Sequence, residues 1–265
     1  MTFQPVIAGP GIVGWQFLQR TYDSQFEAFN RSPQLQRDDD YFLENISSVT
    51  TAEDLVADRR LLGIVLGAFG LQNDIDNRFF IRKILEDGTS DPDALANRLA
   101  DERYKEFSET LRLGPGETPA TLNPAKMQEL IELNRTQSFE IAVGESDDTM
   151  RIALYAQREI DKIAREDSSD EAKWFKILAL PPLRQMFETA LGLPQGFGQI
   201  DIDKQREVFE DRTRSFTGSD AVSQFTDPEA LKRITELFLA RAQVNTFNSS
   251  TSSAANALQL LQFSA

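Results

Sequence analysis

The chain has 265 residues, 40% of them hydrophobic and 26% charged, with a net charge of −14. It holds no Cys and no His, which excludes thiol nucleophiles, histidine bases, Ser-His-Asp triads, Cys/His zinc centres and disulfides together. The acidity opposes phosphate backbones and anionic membrane surfaces, so no nucleic-acid partner is expected.

The opening MTFQPVIAGPGIVGWQFLQRTYD has no basic region followed by a sustained apolar run, so it does not read as a cleavable signal peptide. The longest apolar run, Leu61–Leu71, is half of the roughly 20 residues a membrane span needs, and no membrane insertion is expected. These features point to a cytoplasmic protein, with export without a cleavable signal as the alternative. The lack of Cys leaves the redox compartment open.

Residues 1–14 are expected to be irregular, because Pro5, Gly9, Pro10, Gly11 and Gly14 oppose regular structure. Gly9–Gly14 matches G-x-G-x-x-G. Only Val6-Ile7 precedes it as strand material, and no second strand ending in an acid follows, so a dinucleotide site is rejected. Trp15–Asn30 reads as an amphipathic helix with Trp15, Leu18, Tyr22, Phe26 and Phe29 at helical spacing. That stripe is a packing face or, alternatively, a face for a partner helix. Gln34–Ile46 is a second helix, with Asp38-Asp39-Asp40 on a solvated face.

Thr51–Asp54 resembles a capping box. Leu61–Phe69 is apolar nearly all round, which marks a buried helix. Gly63 and Gly67 would let a neighbour approach closely, and Gly70 is a helix stop. Asp74–Glu86 follows, with Phe80, Ile81, Ile84 and Leu85 inward. Asp91-Pro92 suits a helix start, and that helix is expected to run toward Phe107.

Leu113–Asn123 is a Gly/Pro-rich break. Asn123-Pro124 opens a helix to Val143, and Glu140 with Glu145–Asp148 forms an acidic turn region. Helices follow at Asp147–Arg165, Glu171–Leu180, Leu183–Leu191, Asp203–Arg214, Ser219–Phe225 and Asp227–Val244, with Pro181-Pro182 forcing a turn. No stretch alternates polar and apolar residues. The fold expected is all-α and multi-helical, with about ten to twelve helices. From Thr246 the chain turns to uncharged Ser, Thr, Asn and Ala, which reads as a flexible tail. Ala254–Phe263 would be able to form a short helix on docking.

An internal echo sets the domain organisation. Phe69-Gly70-Leu71 followed by Asp74-Ile75-Asp76 resembles Leu191-Gly192-Leu193 followed by Asp201-Ile202-Asp203. Further on, Asp91-Pro92-Asp93-Ala94-Leu95 answers Asp227-Pro228-Glu229-Ala230-Leu231. The order predicts two related helical lobes from a diverged duplication: an irregular segment 1–14, a first lobe 15–112, a linker 113–123, a second lobe 124–245 and a tail 246–265. The echo of the apolar helix, broken by two prolines, should be bent or split.

The repeated Asp-Ile-Asp offers oxygen ligands, but neither copy has the acids and glycine of an EF-hand loop. Asp at a helix start is favoured by capping and the helix dipole, and that reading is preferred. Arg59-Arg60, Arg78, Arg82-Lys83 and Arg98 would bind an anion or pair with Asp54, Asp58, Asp74, Glu86 and Asp101 at helical spacings. No catalytic, metal-binding or cofactor-binding residue is assigned, and no enzyme is expected. The candidate partner-binding residues are Trp15, Leu18, Tyr22 and Phe26 in the first helix and Leu258, Leu261 and Phe263 in the tail.

YFLENI, DRRLLGIVLGAFGLQNDIDNRFFIRKILE, ANRLADERY, FEIAVGESDDTMRIALYAQREI and FTDPEALKRITELFLARAQ together resemble a family of alphaproteobacterial proteins of unknown function. The resemblance covers Gly14 to Val244. Members of that family are often encoded among flagellar genes, so the resemblance implies a flagellum-associated role and a flagellar or exported location. It transfers no catalytic residue. The function expected is a non-enzymatic structural, assembly or adaptor protein whose partners are flagellar basal-body or export components. The alternative is a cytoplasmic regulatory module, unrelated to motility, that binds a ligand or partner protein in a groove between the lobes.

Overall fold

A computed structural model describes residues 3–194 and 196–263. Thirteen α-helices follow one another: α1 Gly11–Asn30, α2 Pro33–Asn45, α3 Ala52–Ala57, α4 Arg59–Ala68, α5 Arg78–Asp87, α6 Leu95–Arg98, α7 Arg103–Leu111, α8 Pro124–Gly144, α9 Asp148–Ala164, α10 Asp170–Ala179, α11 Pro181–Leu191, α12 Ile202–Thr217 and α13 Pro228–Phe263. Among the described residues there is no strand, so the fold is all-α.

The helices group into two compact units. Unit 1 holds Thr21–Glu145 and the segment up to Val6; unit 2 holds Ile7–Arg20 and the chain from Ser146 onward. The expected linker 113–123 therefore lies inside unit 1, not between units. A buried tie holds it there: Thr121 Oγ1 donates to the Val49 carbonyl at 2.6 Å. The first fourteen residues are not irregular throughout either, because α1 begins at Gly11.

In unit 1, α4 is the core helix, with Leu62, Val65 and Leu66 fully buried. The chain breaks between α3 and α4 because Asp58 takes extended dihedrals and caps α4. Its Oδ1 accepts the Arg60 and Leu61 amides at 2.8 and 3.1 Å. The Thr51–Asp54 capping box opens α3 as the spacing predicts. Of the two glycines in α4, Gly67 is the one a neighbour needs bare. A Cβ there would sit 2.3 Å from Asn134 Oδ1 on α8, whereas the nearest atom to one on Gly63 is at 3.9 Å. In the second half of α8, Phe139 is fully buried, and the rings of Tyr22, Phe26 and Phe29 meet it edge-on at 5.3–5.6 Å. Each such pair adds about 0.5–1.5 kcal/mol beyond the area it buries.

The helix expected from Asp91 to Phe107 is not continuous. Asp91 closes a turn onto the Asp93 amide at 2.9 Å, α6 is a single turn, and Leu99 takes extended dihedrals before α7. The reason lies far along the chain. Arg103 is clamped by Asp101 and reaches back 2.7 Å to the Gly70 carbonyl, a geometry an unbroken helix would not present.

In unit 2 the core forms around Trp174, fully buried, with Phe187 at 5.3 Å and Phe209 at 6.0 Å between ring centroids. Its indole N–H donates to the Asp220 carbonyl at 2.7 Å. The helix expected to be bent or split at Pro181-Pro182 is split: Leu180 is extended and Pro181 opens α11, where its missing N–H costs nothing.

Both units contain the same helix ending. Gly70 and Gly192 each have φ +67°. Leu71 N donates to Leu66 O at 2.9 Å, and Leu193 N donates to Glu188 O at 2.9 Å, the six-to-one bond of a Schellman motif. A side chain at either glycine would be strained in this left-handed region.

Of the glycines in Gly9–Gly14, Gly11 and Gly14 serve close packing. A Cβ on Gly14 would stand 1.9 Å from the Gly9 carbonyl oxygen, a backbone atom that cannot step aside. Gly14→Ala is expected to destabilise unit 2 by about 1–3 kcal/mol, read as a lower urea midpoint with an unchanged slope.

α13 stays helical from Pro228 through Phe263, past the Thr246 boundary at which the composition suggests a flexible tail. No Gly or Pro interrupts that span.

Candidate functional site

The face singled out on the first helix is divided by the fold. Trp15 and Leu18 are 5% and 0% exposed and belong to the packed interior. Tyr22 and Phe26 are half-buried, stack on each other at 5.7 Å and flank Phe139. The packing role of this stripe is therefore the one its geometry serves. Leu258, Leu261 and Phe263 fall outside the residues whose side chains are described.

The edge of Trp15 does reach one concave feature. A groove of 470 Å³ in unit 2 is bounded by the first half of α1, by Gln157 of α9 and by the first turns of α13. Gln19 Nε2 donates to Gln157 Oε1 at 3.2 Å along its wall. Arg20 and Lys232 bring positive charge to it, and Glu229 and Glu236 bring negative charge. This balance of charges with amides suits a polar, mixed-charge ligand surface.

The Asp-Ile-Asp copies differ from one another. Asp201 caps α12 as read, its Oδ1 accepting the Asp203 and Lys204 amides at 3.0 and 3.4 Å. Asp74 does not cap a helix. It accepts the Tyr104 hydroxyl at 2.7 Å and the side-chain Nδ2 of Asn77 at 2.7 Å, while Asp76 pairs with Arg59 at 2.5 Å. Burial, then the bond to Asp74, pushes the Tyr104 phenol well above its ordinary pKa. Among the described residues no three acids converge as a metal site would require.

The basic residues of the first half pair partly at helical spacing and partly across the fold. Arg60 pairs with Asp38 at 2.9 Å and lies 3.8 Å above the Tyr41 ring, and Lys83 pairs with Asp87 at 2.6 Å. Arg82 with Glu86, at 3.4 Å, and Lys83 with Asp87 both pair four residues apart along α5, Arg82 with an acid singled out in the sequence. Asp58 also accepts the Tyr41 hydroxyl at 2.6 Å. Burial raises its pKa, but the bonds from Tyr41 and from the Leu61 and Arg60 amides outweigh burial and hold it below the usual range.

Two acids read as solvated are buried. Asp39 is 4% exposed and Glu140 is 2% exposed. Asp39 lies against Arg135, whose Nε and Nη2 approach its Oδ2 at 2.8 and 2.7 Å. Burial nevertheless dominates and holds the Asp39 carboxyl above its ordinary pKa. Lys173, also missed by pattern, is 5% exposed and donates to the Ala164 carbonyl at 3.0 Å. Nothing local flags Asp39 or Lys173, since the partner of each lies on another helix.

Fold and groove together define a class: an all-α protein of two helical units, without a helix long and apolar enough to cross a membrane among its described residues. Within that class the chain belongs to the family "Protein of unknown function (DUF1217)", which matches residues 68–231. It is similar to the X-ray structure of a structural-genomics target protein from Agrobacterium tumefaciens, with 28% identity and a TM-score of 0.73. The similarity covers 91% of this chain and 97% of that one. No curated protein matches the chain.

Proposed function

We propose that the protein is a non-enzymatic structural, assembly or adaptor component associated with the bacterial flagellum, acting through protein contacts. One observation carries this reading: long motifs across the chain, DRRLLGIVLGAFGLQNDIDNRFFIRKILE foremost, resemble a family whose genes often lie among flagellar genes. The uses of its acids support it. Asp54, Asp58, Asp147 and Asp201 serve helix caps, and Asp39 pairs with Arg135 inside unit 1. The matched Schellman endings at Gly70 and Gly192 support descent of the two units from one duplicated segment. Deleting the gene in a flagellated host is expected to impair flagellar assembly or swimming, scored by soft-agar spreading and electron microscopy. Normal flagella and normal swimming would overturn the proposal. The unit 2 groove favours a second reading, a regulatory module that binds a ligand or partner unrelated to motility, under which the deletion leaves swimming intact.

A further inference from the structure

Within unit 2, α1 and α13 meet closely at one end and part toward the other. Gly11 packs so tightly on α13 that a Cβ there would clash with the Gln243 side chain. Toward Arg20 the space between the same two helices opens into the groove described above. Spacings of three and four put Gln16, Gln19 and Arg20 on one face of α1, and Glu229, Lys232 and Glu236 on one face of α13.

The charges on these faces are not all spent. Lys232 lies 3.9 Å from Glu229, and both are exposed. Arg20 uses only its Nε, which donates to the Gln16 carbonyl of its own helix at 3.2 Å. No carboxylate pairs with Arg20 among the described residues. Glu236 is half-buried, and among the described residues it has neither an ion-pair nor a hydrogen-bond partner. The groove therefore keeps one unpaired cation on α1 and one unpaired anion on α13. A ligand of a single sign would satisfy one and oppose the other. A zwitterion satisfies both.

The amides narrow the class. The Gln19–Gln157 bond uses one donor and one acceptor, which leaves Gln157 Nε2 to donate and Gln19 Oε1 to accept. A donor and an acceptor side by side match a peptide group, which carries both a C=O and an N–H. The length agrees. From Pro228 to Glu236 α13 rises about 12 Å, and three extended residues span about 10 Å. Trp15 is 5% exposed and shows the groove only its edge, an apolar contact suited to a small side chain.

We propose that the groove binds a short peptide with free ends, about three residues long, its carboxylate on Arg20 and its ammonium on Glu236. Gln19 and Gln157 meet the peptide group between the two ends. The inference rests on the groove being a ligand site, the second reading above, and adds the chemistry of the ligand.

Calorimetric titration of the full chain with trialanine, at about 0.15 M salt to screen the net charge, tests it. Trialanine should bind saturably, one per chain. N-acetyl-trialanine and trialanine amide should each bind at least about tenfold more weakly, since each loses one charge-assisted contact. Glu236→Gln should weaken trialanine by a similar factor, and acetylation should then cost nothing further. Arg20→Gln should do the same for amidation. Circular dichroism should be unchanged in both variants, because neither side chain holds another helix in place. Trialanine that fails to bind at millimolar concentration would overturn the proposal. So would binding that survives both substitutions, or acetylation that costs as much in Glu236→Gln as in the wild type. Swimming of the deletion strain tests the function and this titration tests the ligand, so either can fail alone.

Discussion

Trp174→Ala should lower the stability of unit 2 by about 3–5 kcal/mol, the cost of emptying a fully buried aromatic site. The substitution removes the ring that Phe187 and Phe209 pack against and leaves the Asp220 carbonyl without its indole donor. Trp174→Phe keeps one ring but loses the second ring and the N–H, so it should cost less than the alanine variant while still leaving the Asp220 carbonyl without its donor. Urea unfolding followed by fluorescence reads both variants in unit 2, because Trp15 and Trp174 are the two tryptophans of the chain and both belong to that unit. An alanine variant with a wild-type midpoint would mean the site collapses around the loss, contrary to the edge-on packing described.

Arg135→Met should be comparably damaging to unit 1, by about 3–5 kcal/mol at neutral pH, because it strands a buried carboxylate. Asp39 has a side chain only 5% exposed, and Arg135 is its ion-pair partner. The pH dependence has a defined sign. Burial already holds the Asp39 pKa above its unfolded value, and removing Arg135 takes away the two influences that lower it. A carboxyl with a raised folded pKa favours the native state when protonated, and that contribution is lost as pH rises through the folded pKa. The deficit of Arg135→Met should therefore shrink on moving from neutral to mildly acidic pH. Asp39→Asn combined with Arg135→Met should recover much of the loss at neutral pH. Equal deficits at both pH values would show that Arg135 contributes packing alone, through its aliphatic stem.

The features legible in the sequence were those decided within one turn of chain. Asn123 before Pro124, Thr51 with Asp54, Asp201 before α12 and Gly70 after α4 each satisfy orphaned backbone groups next to themselves, so residue type and spacing suffice to place them. The all-apolar face of α4 likewise announced a buried helix. What escaped was decided across long separations. Asp38-Asp39-Asp40 reads as one solvated run, yet Asp39 meets an arginine 96 residues away. The Gly/Pro stretch at 113–123 reads as a linker, yet Thr121 bonds to Val49, 72 residues earlier. The break between α6 and α7 depends on Arg103 reaching Gly70. For the groove, only Trp15 carried any signal, because its other walls come from α9 and α13.

One helix has an implication for synthesis. α1 gives residues 11–20 to unit 2 and residues 21–30 to unit 1. Unit 1 is complete in sequence once Glu145 has been made, and it can form while the ribosome is still translating. Unit 2 cannot: its Ile7–Arg20 segment is made before the main span of unit 1, and the remainder begins only at Ser146. During that interval Trp15 and Leu18, later buried, have to wait without their final neighbours. A nascent chain paused near its midpoint therefore presents an apolar half-helix beside a finished unit, the state in which a chaperone or an early partner would find it. Splitting the gene at residue 145 would strand that half-helix permanently. Co-expression of the two fragments, with residues 7–20 duplicated onto the second, is the arrangement that should restore both units.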